Sequence, residues 1–195
     1  AGQGCAITTR LVVPRSMHDE IVEAAAATMG ALAAGDPTDP GTICGPLISA
    51  RQRDRVQDYL DLAVAEGGTF AVGGGRAPRF DRGYFIDPTL VVGLDNSARV
   101  AREEIFGPVL VVIAHDGDDD AVAIANDTPY GLAAYVSGTD VEATRAVASR
   151  LRAGQVTLNN AAPDLMAPFG GYKQSGNGRE WGEHAFAEFL ETKAV

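Results

Sequence analysis

The stretch Val109-Leu110-Val111-Val112-Ile113-Ala114 is an unbroken run of apolar residues just past the middle of the chain. A run of this length, preceded by a Gly-Pro pair and followed by an acidic group, is typical of a strand buried on both faces of a sheet. Further apolar runs predict strands on either side of it in the sequence. They lie at 11–13, 69–72, 85–92, 133–136 and 155–158.

Helical patterns alternate with these strands. The predicted starts and ends of the helices are Ser16 and Gly35, Ser49 and Gly67, Ala121 and Ala125, Thr139 and Gly154, and Glu180 and Leu190. Asp19 stands where a capping-box acid would reach back to Ser16, and Gln52 holds the same position relative to Ser49. Because strands and helices alternate, the predicted fold class is α/β, with a mainly parallel open sheet and helices on both faces.

Composition narrows the class of protein. The 195 residues are 46% hydrophobic and 22% charged, which is typical of an ordinary globular chain. A net charge of −10 disfavours nucleic acid as a partner. There is neither an apolar run long enough to span a bilayer nor a signal-peptide pattern, so we expect no membrane partner and a cytoplasmic location.

Cysteine and histidine are sparse. Cys5 and Cys44 are the only cysteines, too few for a disulfide scaffold, and Cys44 is predicted to be a packed small residue in a loop. His18, His115 and His184 are scattered without the spacing of metal ligands, so no metal site is expected.

Two glycine-rich stretches are candidates for nucleotide-binding turns. Gly73-Gly74-Gly75 follows a predicted strand but opens a loop, and Gly176-Asn177-Gly178 follows a long loop rather than a strand. Neither has the order of strand, glycine turn and helix that a dinucleotide fingerprint needs. We therefore expect no dinucleotide-binding domain in this chain.

Two other stretches carry side chains suited to chemistry. In Gly2-Gln3-Gly4-Cys5, glycines would let a thiol approach a substrate closely, although a small buried thiol would look the same in sequence. Glu103-Glu104-Ile105-Phe106-Gly107-Pro108 places carboxylates directly before the buried strand. A carboxylate there could accept from two ribose hydroxyls, and an exposed acidic pair is the alternative.

Four motifs occur in the order found in the aldehyde dehydrogenase superfamily. They are Gly2-Gln3-Gly4-Cys5, Glu103-Glu104-Ile105-Phe106-Gly107-Pro108, Tyr130-Gly131-Leu132 and Pro168-Phe169-Gly170-Gly171-Tyr172-Lys173-Gln174-Ser175-Gly176. The chain resembles that superfamily from its first residues to its last, without a large gap.

The resemblance implies a role for each matching residue. It implies that Cys5 is the nucleophile, that Glu104 binds the nicotinamide ribose and that Phe106 packs beside the nicotinamide. It also places Gln52 and Arg55 loosely at the cofactor. Substrate-tunnel positions are implied for Phe169 and for the variable wall between Asn160 and Met166, which contains Ala161, Pro163 and Leu165.

The implied reaction is the oxidation of an aldehyde to a carboxylic acid with NAD or NADP, through a thiohemiacetal and a thioester on Cys5. Residues 1–190 are then expected to form a catalytic domain that is incomplete on its N-terminal side. Residues 191–195 are expected to begin an extended arm that pairs subunits of a dimer or tetramer. The cofactor-binding domain, the general-base glutamate and an oxyanion-binding asparagine are expected outside this chain, so the chain alone is not expected to turn over.

Two other classes of function stay open at this point. A cysteine hydrolase would need Cys5 paired with His115 or His184, and no motif in the sequence pairs them. A noncatalytic assembly module would use the tail and uncovered sheet edges for pairing. The sequence predicts neither the aldehyde nor the choice between NAD and NADP.

Overall fold

A computed structural model describes residues 1–32 and 34–195. The described chain forms two compact units, Ala1–Ile124 and Ala125–Val195.

The first unit contains a four-stranded sheet. Its strands are β1 (Arg10–Pro14), β2 (Thr69–Val72), β3 (Thr89–Val92) and β4 (Val109–His115), in the spatial order β1-β4-β3-β2. Strands β1, β4 and β3 are parallel, with Leu11 opposite Val112, and β2 pairs antiparallel at the edge. The central position of β4 explains its unbroken apolar sequence, because both of its edges and both of its faces are covered.

Four helices accompany this sheet: α1 (His18–Ala31), α2 (Ala50–Ala65), α3 (Arg99–Arg102) and α4 (Asp118–Asn126), whose last residues cross the boundary between the units. Alternate strand residues face opposite sides. Leu90 and Val112 pack with side chains of α1, while Val91 and Val111 pack with those of α2. The prediction of a mainly parallel sheet with helices on both faces is confirmed.

The second unit has a smaller sheet of its own. Strands β5 (Ala133–Val136) and β6 (Gln155–Leu158) are parallel, and α5 (Val141–Ala148) connects them. Short 3₁₀ turns follow at Lys173–Ser175 and Glu183–Phe189, and residues 191–195 have no regular secondary structure. The predicted strands are therefore divided between a four-stranded sheet and a separate pair.

The predicted starts of three helices are wrong. Ser16 does not cap α1, because it lies inside a 3₁₀ turn and Met17 precedes the helix without a side-chain hydrogen bond. Asp140, rather than Thr139, caps α5 by accepting from the N–H groups of Glu142 and Ala143. The acids near Ala121 lie within the first turn of α4, so that helix begins earlier than predicted, and its N-terminal dipole favours them.

Other boundaries differ at ends and in type. The first helix ends at Ala31 rather than near Gly35, and Ala33 lies outside the described residues. The strand predicted at 85–92 is confined to Thr89–Val92, since Pro88 has no N–H to donate to a ladder. The helix predicted at 180–190 is a run of 3₁₀ turns. By contrast, Ser49 caps α2 as predicted, accepting from the Gln52 N–H at 3.2 Å.

Nowhere in the ranges 1–32 and 34–195 is a helix both long enough and apolar enough to cross a bilayer.

Candidate active site

The segment before Cys5 is held by contacts with two distant parts of the first unit. Gly2 has a φ of +71°, and a Cβ there would overlap the carbonyl of Gly107. The side chain of Gln3 accepts a hydrogen bond from the Ile48 N–H at 2.9 Å. Glycine is therefore required at position 2 both by its left-handed backbone and by its close approach to the 103–108 loop.

Cys5 itself lies in an exposed turn, which the Ile7 N–H closes by donating to the Gly4 carbonyl at 3.2 Å. Within the described part of the chain, no hydrogen bond or ion pair engages the thiol. The ring of His115 instead contacts the backbone of Gly117, at 3.0 Å. The thiol is thus accessible to a small molecule, and no described contact supplies the histidine partner that a hydrolase needs.

Cys44 has the structural role that the sequence predicts. It is 5% exposed, and it packs with Ala34 and Ala77 in a small apolar cluster. The two thiols therefore differ sharply in accessibility, and only Cys5 is placed to react.

The first acid of the 103–108 loop is structural. The carboxylate of Glu103 accepts from the guanidinium of Arg99 at 2.8 and 3.0 Å, and from the hydroxyl of Tyr59 at 2.8 Å. These two donors, Arg99 above all, lower the pKa of Glu103 below its ordinary value. Glu103 thus fastens the loop to α2 and α3 and is not available to a ligand.

The second acid is available. Glu104 is exposed, and no described residue forms a hydrogen bond or ion pair with its carboxylate. Only its backbone carbonyl is engaged, by the guanidinium of Arg55. Of two adjacent glutamates, the structure leaves free the one that the sequence predicts to bind ribose.

Phe106 has a left-handed backbone, with a φ of 60°, and a half-buried side chain. The side-chain nitrogen of Gln52 donates to the carbonyls of Ile105 and Phe106, at 3.1 and 2.8 Å. Arg55 Nε donates to Ile105 at 3.3 Å. The sequence predicts Gln52 and Arg55 as cofactor contacts, which stays a prediction, but it does not reveal that they hold this loop.

An open cleft of about 1040 Å³ runs along α2 beside the loop. Its lining includes Ile48, Gln52, Arg55, Tyr59, Leu62 and Arg99. The cleft offers a ligand apolar surface, guanidinium groups and the carboxylates of Asp54 and Asp58.

In the second unit, Phe169 stacks on Trp181, with ring centroids 4.9 Å apart and an interplanar angle of 29°. Two backbone hydrogen bonds of 2.7 Å between Phe169 and Glu180 hold the stack together. Trp181 is the only tryptophan of the chain, and sequence reasoning missed it. The spacing of twelve residues between the two rings gives no periodic signal, because their contact depends on the loop that joins them.

The predicted tunnel wall is exposed. Asn160, Ala161, Pro163 and Leu165 all lie at the surface of the second unit, and Asn160 has a φ of 55°. The Asp164 carboxylate accepts a hydrogen bond within its own loop, from the Met166 N–H at 2.9 Å. The wall thus presents small, polar and apolar side chains, and its relation to Cys5 stays a prediction.

Among the residues that the structure describes, no three His, Cys, Asp or Glu side chains converge as metal ligands do.

All 195 residues match the family model described as the aldehyde dehydrogenase family. The chain belongs to that family. One relative is the 3-succinoylsemialdehyde-pyridine dehydrogenase of a Pseudomonas species, which is 48% identical over 195 residues, covering 100% of this chain and 41% of the relative. The chain thus spans about two fifths of the length of the curated relatives it matches.

Solved aldehyde dehydrogenases share the fold. A cysteine-to-alanine variant of aldehyde dehydrogenase AldC from Pseudomonas syringae, with NAD+ and octanal, superposes with a TM-score of 0.96 at 51% identity, covering 100% of this chain and 40% of that one. A Mycobacterium tuberculosis aldehyde dehydrogenase with NAD+ gives 0.94 at 47% identity, covering 97% and 39%. The backbone of this aldehyde dehydrogenase chain therefore has the same fold as the matching parts of both neighbours.

Proposed function

We propose that this chain supplies the nucleophile and the ribose-binding carboxylate of an NAD-dependent aldehyde dehydrogenase. One observation carries the proposal: Gly2, three residues before Cys5, packs directly on Gly107 of the loop that presents Glu104. The segments that carry the exposed Cys5 thiol and the free Glu104 carboxylate are thereby in contact within one compact unit. That arrangement suits a reaction in which a thiol-bound substrate meets a ribose-bearing cofactor.

The chemistry begins at Cys5. Its thiolate adds to the aldehyde carbon, and the carbonyl electron pair moves onto oxygen, where hydrogen-bond donors stabilise the charge. Bound NAD+ supplies the acceptor for the hydride. Loss of hydride from the tetrahedral carbon re-forms the carbonyl as a thioester. Water, with a base taking its proton, then adds to the thioester and displaces the thiolate, which releases the carboxylic acid.

The residues present fit the nicotinamide end of the cofactor. The two oxygens of an exposed, unengaged Glu104 can accept from two neighbouring ribose hydroxyls. The Phe106 ring, two residues on, offers an apolar surface to a flat heterocycle. Both solved neighbours contain NAD+, which supports NAD rather than NADP.

For the substrate we infer an apolar aldehyde. The exposed Leu165 and the Phe169–Trp181 stack offer hydrocarbon surface. The AldC neighbour, a cysteine-to-alanine variant, was crystallised with octanal, which is an apolar aldehyde. Phe169 and the wall at 160–165 are then the residues that contact the substrate chain.

We further infer a cytoplasmic homo-oligomer in which residues 191–195 begin the pairing arm. This tail is exposed and has no regular secondary structure, and two free thiols suit a reducing compartment. Light scattering should report more chains per particle for the 195-residue chain than for a version that ends at residue 190. The same number of chains per particle in both would contradict the role of the arm.

A segment exchange tests the dehydrogenase function. This chain replaces the matching 40% of wild-type AldC, and NADH formation is measured with octanal. We expect turnover that falls on the order of 10⁴-fold in Cys5→Ala and is kept in Cys44→Ala, while the chain alone forms no NADH. A folded exchange protein without activity, or activity that survives Cys5→Ala, would refute the proposal.

A further inference from the structure

Three consecutive residues of the second unit contact the end of the wall and the aromatic ring that follows it. Glu180 exchanges two backbone hydrogen bonds of 2.7 Å with Phe169. The indole of Trp181 stacks on the Phe169 ring, with centroids 4.9 Å apart. Gly182 lies against Met166, because a Cβ at that glycine would overlap the Met166 carbonyl. One short segment thus engages both the last residue of the wall and Phe169.

The stack depends on an unusual backbone at Trp181. Residues that face each other in an antiparallel bridge, as Phe169 and Glu180 do, have side chains on the same side, and the next residue of a regular strand would point to the other side. Trp181 has a φ of 68° and Gly182 one of 59°, so the alternation is interrupted directly after the bridge. This interruption lets the indole lie on the ring of Phe169.

A positive φ is rare for a bulky residue and persists only where the surroundings maintain it. At Trp181 the stack itself and the close approach of Gly182 to Met166 are the contacts that maintain it. The backbone cost at Trp181 is therefore offset by contacts that order the Phe169 ring.

The stack in turn restricts Phe169. Two aromatic rings attract each other only over a limited range of orientations, so the indole limits the rotation of the phenyl ring. A stack covers one face of a ring, and Phe169 is only half-buried, so part of its surface stays available to a ligand. A surface held in one orientation lowers the cost of binding a flexible hydrocarbon chain.

We propose that Trp181 is a positioning residue, which holds the Phe169 ring as a surface for the hydrocarbon chain of the aldehyde and so favours long aldehydes over short ones. The contact between Phe169 and the aldehyde rests on the proposed function. The hold of Trp181 on Phe169 exists without any ligand and can be measured without one.

The first test uses the fluorescence of the 195-residue chain, in which Trp181 is the only tryptophan. We expect Phe169→Ala to raise the acrylamide quenching constant and to move the emission to longer wavelength, because it uncovers one face of the indole. Phe189→Ala is the matched control, since Phe189 is 86% exposed and stacks on no ring among the described residues.

Quenching that is unchanged in Phe169→Ala, or raised equally in Phe189→Ala, would overturn the proposal. A urea midpoint measured for each variant confirms that the compared samples are folded.

A pair of glycines tests the backbone without removing either ring. Gly182→Ala should cause the same spectral change as Phe169→Ala, because the added methyl group would displace the segment from Met166. Gly176→Ala is the control: Gly176 also has a positive φ, of 94°, but nothing lies within 4 Å of a Cβ there. If Gly182→Ala emits as the wild type does, the close approach to Met166 does not hold the stack and the proposal fails.

The second test uses the exchange protein described above, in which AldC supplies the rest of the enzyme. We expect Trp181→Leu to lower the ratio of kcat/KM for octanal to that for propanal about tenfold. Trp181→Phe, which keeps a ring, should lower the ratio less. In a Phe169→Ala background, Trp181→Leu should have little further effect.

An undiminished effect of Trp181→Leu in Phe169→Ala would mean that the indole touches the substrate itself and would overturn the positioning role. An equal loss for both aldehydes would reflect general destabilisation and would also overturn it. A folded exchange protein that turns over neither aldehyde would count against the proposed function, while the fluorescence of the chain would still decide whether Trp181 holds Phe169.

Discussion

The loop at 103–108 in the first unit and the wall at 160–166 in the second are both irregular and both carry candidate site residues. They are held in opposite ways. Side chains more than forty residues away, on α2, bind the first loop through its backbone and through Glu103. The wall is ordered largely by bonds within a few residues, such as Asp164 to Met166, and its apolar side chains are exposed.

The difference matches what each region would do. A loop that presents a carboxylate to one constant cofactor benefits from a fixed shape, because preorganisation lowers the cost of binding. A wall that meets the variable part of a substrate needs only to offer surface. Changes in the first region should therefore cost stability, and changes in the second should not.

The core under the first loop gives the strongest contrast. Leu60 is 1% exposed on α2, and Leu165 is 66% exposed in the wall. We expect Leu60→Ala to lower the free energy of unfolding by about 2–5 kcal/mol and Leu165→Ala to change it by less than about 0.5 kcal/mol. Urea unfolding of both variants decides this, and equal losses would show that the wall is also packed.

Two glycines allow a similar comparison in which a methyl group is added rather than removed. A Cβ at Gly107 would overlap Val56, whereas one at Gly178, which lies in the second unit outside the wall, would meet only ordinary contacts with the side chain of Glu188. We expect Gly107→Ala to cost about 1–3 kcal/mol and Gly178→Ala to be neutral within about 0.5 kcal/mol. If Gly107→Ala has the same urea midpoint as the wild type, Val56 of α2 does not pack closely against Gly107 as the structure shows.

The smallest effect concerns Glu103 and pH. Its folded pKa lies below the ordinary value of 4.5, so its pairing stabilises the fold above that pH and loses its effect as pH falls through the folded pKa. The side chain of Glu103 is 39% exposed, so solvent screening keeps its contribution to the free energy of unfolding modest.

Glu103→Gln should therefore flatten the decline of the urea midpoint below pH 4.5, and Tyr59→Phe, which removes one donor, should flatten it less. Identical pH profiles for wild type and Glu103→Gln would mean that Arg99 and Tyr59 do not stabilise the carboxylate in solution.

Much of the fold could be read from the sequence. The apolar run at 109–114 is the central strand β4, and Ser49 caps α2, because both signals are local. The two wrong caps, Ser16 and Thr139, show the limit: each has a suitable side chain, but a neighbouring turn or acid takes the position.

Without the family resemblance, which singles out Glu104, the candidate site was predictable only as a set of residue types. The sequence pattern by itself could not separate Glu103 from Glu104, because what distinguishes them is the placement of Arg99 and Tyr59 in space. Nor could it give Gln52 and Arg55 their hold on the loop, or join Trp181 to Phe169. Contacts between distant segments decide these roles.

The most direct measurement is the acylation of the chain by 4-nitrophenyl acetate, read by peptide mass spectrometry. Cys5 is exposed, and Cys44 is buried. We expect one acetyl group per chain, carried by the Cys5 peptide as a thioester and absent in Cys5→Ser. Acetylation of other residues with Cys5 unmodified, or steady hydrolysis that requires His115 or His184, would contradict Cys5 as the nucleophile of a dehydrogenase.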